Sequence, residues 1–526
     1  MTLSRCPVQV RLMDLYHVFH HTQFLHSPRF QPSAGDYKCN DRHECLARVS
    51  LPNTYITHDS DTHLKVRARP TATAIAPNQS PDVTAVVLNW SRLPNVIRIV
   101  DTLCQSSIED VIAEVFIWNN SPQSLSYDIF SNTTCSAAKL RIYNSPSNLY
   151  FQARFLACAK SQRPYCFLQD DDYLVLPELI RTLRARIVED TRSAAIHLLP
   201  PHEHLSSQLR TIHSSKNIHT SFAWLGHGAI LRKSQAIEFL SLLRHINASS
   251  EEGQMADNYF TILSNRISQI WFDQGIEMGG GQPFTVGSEG DSRNKRHIIR
   301  AAQYLDALTA DSPPKTSSFG QTQVTGLEFV DFTPTPMLDI MDISARSPCL
   351  GIPCLLETNI PLIMKKDNHT VSSAEDMLSQ EARSLQLIGA RKEHYYRYPP
   401  SHAVDGCPDT VFRSPQHGRA GDYISLDYLS LLSFEDDPFE LVLLVPEEME
   451  QILCSSIVGY SADALRWTSS AADPTCTDVL TGQTDSLREC SIVIPMDDST
   501  TSARFFHVKL QKDVPIHWRV HEIWLR

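Results

Sequence analysis

An α/β domain with a mostly parallel sheet, followed by an all-β domain, is the fold class this sequence predicts. Three observations carry it. Between residues 81 and 308 short apolar runs alternate with helical patterns. One of those runs ends directly on three aspartates, Asp170, Asp171 and Asp172. Beyond about residue 345 the texture becomes short strand-like runs separated by turns. A chain of 526 residues also exceeds one ordinary core, so two or three domains are expected.

Taken in order, residues 1–80 have weak periodicity and form a segment of unclear fold, ending in a loop-like stretch at 76–81. Val83–Leu88 is a continuous apolar run, as expected of a strand covered on both faces. Leu93–Leu103 places Ile97, Val100 and Leu103 at helical spacing. Val111–Trp118 is a second buried strand, closed by the turn residues Asn119, Asn120, Ser121 and Pro122. Lys139–Tyr143 reads as a third strand and Tyr150–Lys160 as a helix. Tyr165–Leu168 is a fourth strand running into the aspartates, with a helix predicted over Leu176–Ile187. Ligands of such sheets bind beyond the carboxyl ends of the strands, so the informative loops begin at Asn89, Asn119 and Gln169. Residues 309–344 form a linker, Pro- and Ser-rich at 310–318. Residues 345–526 are predicted to form a β-sandwich, in which only Ala374–Leu387 is helical. Its strands include Leu441–Val445, Ser491–Pro495 and Phe505–Leu510.

Composition narrows the class. Hydrophobic residues make up 42% and charged residues 20%, which is globular. A net charge of -12 argues against a protein that coats nucleic acid or anionic membrane. The main basic run is Arg293, Asn294, Lys295, Arg296, His297. No window supplies the ~20 apolar residues that span a bilayer, and Met1–His20, with Arg5, Arg11 and Asp14, lacks the apolar run of a leader. None of the 13 cysteines forms a CxxC pair; Cys39 with Cys45 and Cys349 with Cys354 suggest small disulfide-closed loops. Sequons stand at Asn78, Asn89, Asn119, Asn132, Asn247 and Asn368, those at Asn89 and Asn119 being poor acceptors because each ends an apolar strand. These signs point to the lumen of the secretory pathway, most simply the Golgi, with a cytoplasmic or secreted location as the alternative.

Three adjacent carboxylates repel one another. A hard divalent cation such as Mn²⁺ or Mg²⁺ offsets that repulsion, because it takes carboxylate and phosphate oxygens as ligands. Alternate aspartates at a strand end can face one ion while the middle one points elsewhere. The plainer alternative is a solvated acidic loop capping the following helix.

The order Val86–Arg92, Val115–Asn120, Cys166–Asp172 resembles the GT-A glycosyltransferases, a Rossmann-like α/β class. It is most similar to the exostosin type, with the broader family-two transferases behind it, over about residues 82–304. The turn Asn89, Trp90, Ser91, Arg92 stands for that family's "TYNR", and Trp118, Asn119, Asn120 for its "WNN". The resemblance implies that Arg92, Asn119, Asn120, Arg154 and Asp171 contact a UDP- or GDP-sugar, and that Asp170 and Asp172 hold Mn²⁺ (or Mg²⁺) against its diphosphate. It implies an acceptor side at Gly226, His227 and Gly228, and a catalytic carboxylate at Asp257. The family's glutamate-aspartate pair is Ala256 and Asp257 here. Residues 287–297 resemble a mobile loop that closes over the donor, bringing Arg293, Lys295 or His297 to the leaving group.

The segments His402–Ser414, Gly421–Asp427 and His521–Leu525 resemble a discoidin domain, with Phe412 where that family has tryptophan. The expected function is metal-dependent transfer of a hexosyl or N-acetylhexosaminyl group from a nucleotide-sugar to a glycan or glycoprotein. A non-catalytic glycan-binding or adhesion protein is the alternative. A nucleotidyltransferase is weaker, since no glycine-rich phosphate loop follows the first strand.

Overall fold

The computed structural model describes residues 54–58, 64–68, 80–190, 192–214, 218–279, 288–309, 344–363, 373–374, 376–433, 439–470, 472–479, 487–494 and 502–526. The predicted linker at 310–318, Cys39, Cys45, Asn78 and Asn368 lie outside them. Within the segment of unclear fold, β1 (Thr54–His58) and β2 (Leu64–Ala68) pair antiparallel.

The α/β domain follows the predicted alternation closely. Its elements are β3 (Val83–Asn89), α1 (Leu93–Leu103), β4 (Ile112–Asn119), β5 (Leu140–Asn144), α2 (Gln152–Lys160) and β6 (Tyr165–Gln169). Then come β7 (Tyr173–Leu174), α3 (Pro177–Glu189), β8 (Ala195–Leu199), α4 (Pro201–Leu209), β9 (Ile212–Ser214) and β10 (Ile218–Thr220). The domain closes with β11 (Ala229–Arg232), α5 (Lys233–His245), α6 (Ser250–Gln254), α7 (Asp257–Leu263), β12 (Gln269–Phe272), β13 (Ile276–Glu277) and α8 (Ser288–Thr309).

Seven of these strands form one sheet in the order β12-β8-β11-β6-β3-β4-β5. It is parallel except at β11, which runs antiparallel to both of its neighbours. This is the mostly parallel, Rossmann-like sheet the sequence predicts. The period-2 rule sorts its side chains. Val83, Ala85 and Val87 of β3 pack with α1 and α3, whereas Val86 joins Phe116 and Trp118 against α2, α5 and α7. Helices therefore cover both faces, and the carboxyl ends of β3, β4 and β6 open at one edge.

One expectation is corrected. The segment resembling a mobile loop is, from Ser288 onward, the first half of a long helix, α8. Ile298, Ala301, Ala302 and Leu305 repeat at i, i+3, i+4 and i+7 and are buried in the same core as α7. Glu289 and Asp291 in the first turn favour the helix N-terminus.

Beyond residue 343 come β14 (Ala345–Pro348), β15 (Leu355–Thr358), α9 (Asp376–Ile388) and α10 (Arg391–Arg397). The remaining strands are β16 (Phe412–His417), β17 (Tyr423–Ser433), β18 (Glu440–Pro446), β19 (Ser456–Ser461), β20 (Thr468–Ser470) and β21 (Thr475–Val479). They continue with β22 (Leu487–Val493), β23 (Ser502–Leu510), β24 (His517–Val520) and β25 (Glu522–Leu525). A sheet ordered β14-β15-β17-β23-β19-β20 faces another ordered β21-β22-β18-β25. Ile424, Leu426, Phe506 and Val508 from the first meet Leu441, Leu443, Ile492 and Ile523 from the second in one core. This is the predicted all-β sandwich. The helices α9 and α10, however, pack on α4 of the first domain.

Disulfides join Cys104 to Cys135, Cys158 to Cys166, Cys349 to Cys354 and Cys476 to Cys490. The Cys349–Cys354 loop is the one expected. No helix among the described residues is long and apolar enough to cross a membrane.

The two parts share buried contacts. Leu350 and Leu355 enter the core beneath α1 and α3, and Ala374 and Met377 enter the core that holds α7 and α8. Arg504 pairs at once with Glu189 of α3 and Asp427 of β17. Cleavage within 310–318 is therefore expected to yield two fragments that stay together in native size-exclusion chromatography. Independent elution of the fragments would show that these contacts do not hold the parts.

Candidate active site

The site is built on the carboxyl end of β6, the middle strand of the large sheet. The three aspartates leave it in different directions. Asp171 is drawn inward: Arg92, from the turn after β3, donates to its Oδ1 at 2.7 Å and lies 3.4 Å from Asp172. Burial raises the Asp171 pKa, and the Arg92 ion pair opposes that rise. The side chains of Asp170 and Asp172 are 30% and 35% exposed, against 10% for Asp171. The outer pair thus offers its oxygens to solvent, and the middle carboxylate is neutralised from behind.

Arg154 projects from α2 and is 1% exposed. Its Nη2 donates to Asp170 Oδ1 at 2.6 Å and lies 3.4 Å from Asp257 Oδ2. Burial lowers the pKa of this guanidinium, but the two carboxylates override burial and raise it. Asp257, the first residue of α7, is 2% exposed. Burial pushes its pKa up to about 7, with Arg154 pulling it down and Asp170 adding to the rise. Nε and Nη1 of Arg154, Oδ1 of Asp257 and both amide atoms of the neighbouring Asn258 are buried without a hydrogen-bond partner. Unsatisfied polar atoms so concentrated mark a functional site rather than a fold element.

The asparagines after β3 and β4 have a different job. Asn89 Nδ2 donates to Asn119 Oδ1 at 2.7 Å, and Asn119 Nδ2 donates to Gln123 O and Asn144 Oδ1. Asn119 is fully buried, so its side chain is committed to holding the three strand ends together. Asn120 accepts from Leu149 N and donates to Tyr150 O, fixing the turn that precedes α2. The sequon asparagines on β3 and β4, Asn89 and Asn119, are both buried. Trp90, in contrast, is 49% exposed beside Arg92.

Gly226 meets the triplet from the opposite loop. Asp170 N donates to its carbonyl at 3.0 Å, and a Cβ at residue 226 would lie 2.4 Å from Asp170 Oδ2. Only glycine fits there without moving the carboxylate. Gly228 has φ +115 and would press a Cβ against Val175, a requirement of packing.

His227 sits between two carboxylates that the sequence did not single out. Its Nε2 is 3.3 Å from Glu203 of α4, and its Nδ1 is 4.0 Å from Asp273 after β12. The ring stands edge-on to Tyr173, centroids 4.7 Å apart. Burial lowers the pKa of His227, and Glu203 outweighs burial to raise it. Burial pushes Asp273 up to about 7 against bonds from nearby backbone N–H groups.

Of the cations expected from the closing loop, Lys295 and His297 face α6. His297 hydrogen-bonds Tyr259 Oη at 2.8 Å and pairs with Glu251 at 3.4 Å, on a cleft of about 580 Å³ between α6 and α8. Arg293 lies one turn earlier on the same helix. Glu252 is bound up in the capping box of α6.

A metal at the triplet would rest on Asp170 and Asp172 with ligand oxygens completing its shell, because Asp171 is turned to Arg92. Among the described residues the metal-sized cluster is Glu450 with Cys476 and Cys490, whose sulfurs form a disulfide and so cannot act as thiolates.

No protein-family model matches the sequence, and no curated protein does. Among solved structures it is similar to a mannosyltransferase of Pyrobaculum calidifontis in complex with GDP-Man and Mn²⁺, at 13% identity and TM-score 0.30, over 47% of this chain and 69% of that one. S. aureus TarS in complex with UDP-GlcNAc matches at 14% identity and TM-score 0.29, over 44% of this chain and 73% of that one. CBM32-1 from a family 31 glycoside hydrolase of Clostridium perfringens matches at 16% identity and TM-score 0.17, over 24% of this chain and 82% of that one. Likenesses this distant decide neither activity nor ligand.

Gly226→Ala should displace the Asp170 carboxylate and weaken Mn²⁺ retention by about tenfold while the domain stays folded. Unchanged Mn²⁺ affinity, read by the free-ion electron paramagnetic signal, would remove Gly226 from the site.

Asp257 gives a second test. Its folded pKa is raised above the unfolded value, so it favours folding at low pH and loses that contribution as pH rises through about 7. In metal-free protein the midpoint of Asp257→Asn should therefore gain on wild type between about pH 4 and pH 7. A difference between the two that is constant over that window would show an ordinary carboxylate.

Proposed function

We propose that this protein is a metal-dependent glycosyltransferase that moves a hexosyl or N-acetylhexosaminyl group from a UDP- or GDP-sugar to a glycan or glycoprotein. The observation that carries this reading is the division of labour among three aspartates. Asp170 and Asp172 stand partly exposed at the carboxyl end of the central strand, and Asp171 is neutralised by Arg92. A purely structural acidic turn has no need for two arginines behind it, one of them buried. Such a pair of carboxylates fits a hard divalent cation, Mn²⁺ or Mg²⁺, which would stabilise the charge of a departing nucleoside diphosphate.

The chain's own residues then take definite roles. Arg92 sets the backbone of the triplet, and Trp90 offers an exposed indole beside it for a nucleobase. Arg154 is too deeply buried to reach a donor, so it acts by holding Asp170 and Asp257. In transfer, the bond from the anomeric carbon to the diphosphate breaks and a bond to the acceptor oxygen forms. Asp257, held near neutrality, is suited either to take the acceptor's hydroxyl proton in an inverting reaction or to steady the cationic sugar in a retaining one. His227, Gly226 and Gly228 line the acceptor side.

The location we propose is the lumen of the secretory pathway, most simply the Golgi, and the four disulfides among the described residues support it. The sandwich, discoidin-like in its motifs, would serve a glycan or glycoprotein partner.

Purified protein given a panel of UDP- and GDP-sugars is expected to release the nucleoside diphosphate from one of them, only with Mn²⁺ or Mg²⁺, as read by mass spectrometry. Asp172→Asn should reduce turnover and donor binding together. Asp257→Asn should reduce turnover by about 10²-fold or more with donor binding nearly intact. No turnover on any donor, with glycan binding retained, would make the protein a non-catalytic glycan-binding one.

A further inference from the structure

The acceptor side of the site has two walls, and both are held by the part of the chain that follows residue 343. The first wall is the short segment 273–278. Asp273 Oδ1 accepts from Gly275 N at 2.7 Å. A Cβ on Gly275 would lie 2.3 Å from Tyr173 Cε1. Ile276 and Glu277 pair with Leu174 and Tyr173, and Met278 N donates to Asp172 O at 2.9 Å. The backbone of Asp172 is therefore defined by this segment. A pair of two-residue strands has little stability of its own. Something must hold it.

Gln274 supplies the hold. Its amide nitrogen lies 2.7 Å from Pro348 O, 3.3 Å from both Ser347 Oγ and Ser401 O, and 3.5 Å from Val404 O. Two N–H protons thus face four oxygens, all of them from beyond residue 343. The second wall is α4, which carries Glu203. Ser206 and Arg210 of this helix and its C-cap bind Glu381, which is 4% exposed. His204 Nδ1 meets Tyr395 Oη at 2.7 Å. His227 lies between the two walls, so both of its carboxylate partners are positioned from outside the α/β domain.

We propose that the C-terminal part is a positioning element of the active site, and that Gln274 is the residue through which it fixes the Asp172–Leu174 segment. The inference rests on the transferase reading for its meaning, but not for its geometry. It makes the sandwich a working component of the acceptor side and not a binding module on a free tether. Gln274 touches no reacting group; it acts through the 273–278 segment.

The test uses the full chain with Gln274→Glu, which keeps the shape and removes the donor, and Gln274→Ala, which removes both. Arg504→Gln is the control, because it breaks a contact between the same two parts at Glu189, at the far end of α3. Hydrogen exchange followed by mass spectrometry should quicken about tenfold at 172–174 and 274–279 in both Gln274 variants. The Arg504 variant should exchange there like wild type, and β3 and β6 should be unchanged in all three. Mn²⁺ alone, titrated by its free-ion signal, should bind about tenfold more weakly to the Gln274 variants than to wild type or the Arg504 variant. Wild-type exchange at 172–174 and 274–279 in both Gln274 variants overturns the proposal. Equal quickening in the Arg504 variant also overturns it, since the effect would then be general loosening. Selective quickening in a chain whose wild type retains no Mn²⁺ would support the brace and sink the metal reading instead.

Discussion

The site depends on one buried guanidinium. Arg154 lies between Asp170 and Asp257 with almost no exposure, and so ties α2, the end of β6 and the start of α7 to one point. Removing one partner of such a cluster typically costs ~3–5 kcal/mol, because a charge is left buried and uncompensated. The geometry leaves little freedom. Asp170 is held by Arg154 on one side and by the bare backbone of Gly226 on the other. Asp172 inherits its place from the backbone bond to Met278. The electrostatics follow the same logic. Two arginines offset three carboxylates from the protein side, and the excess negative charge is left facing solvent.

This arrangement separates residues that touch the ligand from residues that shape the place where it sits. Asn119 and Asn120 belong to the second kind, with amides spent on neighbouring strand ends and turns. Their value is rigidity: three parallel strands end in step because their terminal side chains bond one another. Trp90, which is exposed, and the partly exposed outer aspartates are the residues the proposed reading leaves to a ligand.

The strands and helices of the α/β domain were legible in the sequence because each buried run is continuous and each helix shows its apolar stripe. Val83–Leu88 and Leu93–Leu103 are found within a residue of where the pattern puts them. Helix α8 was misread because its first two turns are polar and charged, and the stripe begins only at Ile298. Glu203 and Asp273 left no signal, since each is a lone acid in an unremarkable segment and gains meaning only from His227. Gly226 was singled out, but its reason was not readable: the steric demand comes from Asp170, 56 residues away by numbering. The contacts of Gln274 with residues 347–404 likewise depend on how two domains meet, which no local pattern encodes.

Four disulfides among the described residues differ from these long-range contacts in one respect. These four join cysteines 5, 8, 14 or 31 residues apart, so each of them can close soon after its own segment leaves the ribosome. Arg504 and Glu189 are separated by 315 residues and must wait for nearly the whole chain. These four bonds can therefore form on local pieces before the contact of Arg504 with Glu189 is made. The segment 273–278, which leans on contacts with residues 347–404, is completed only when most of the chain has been made.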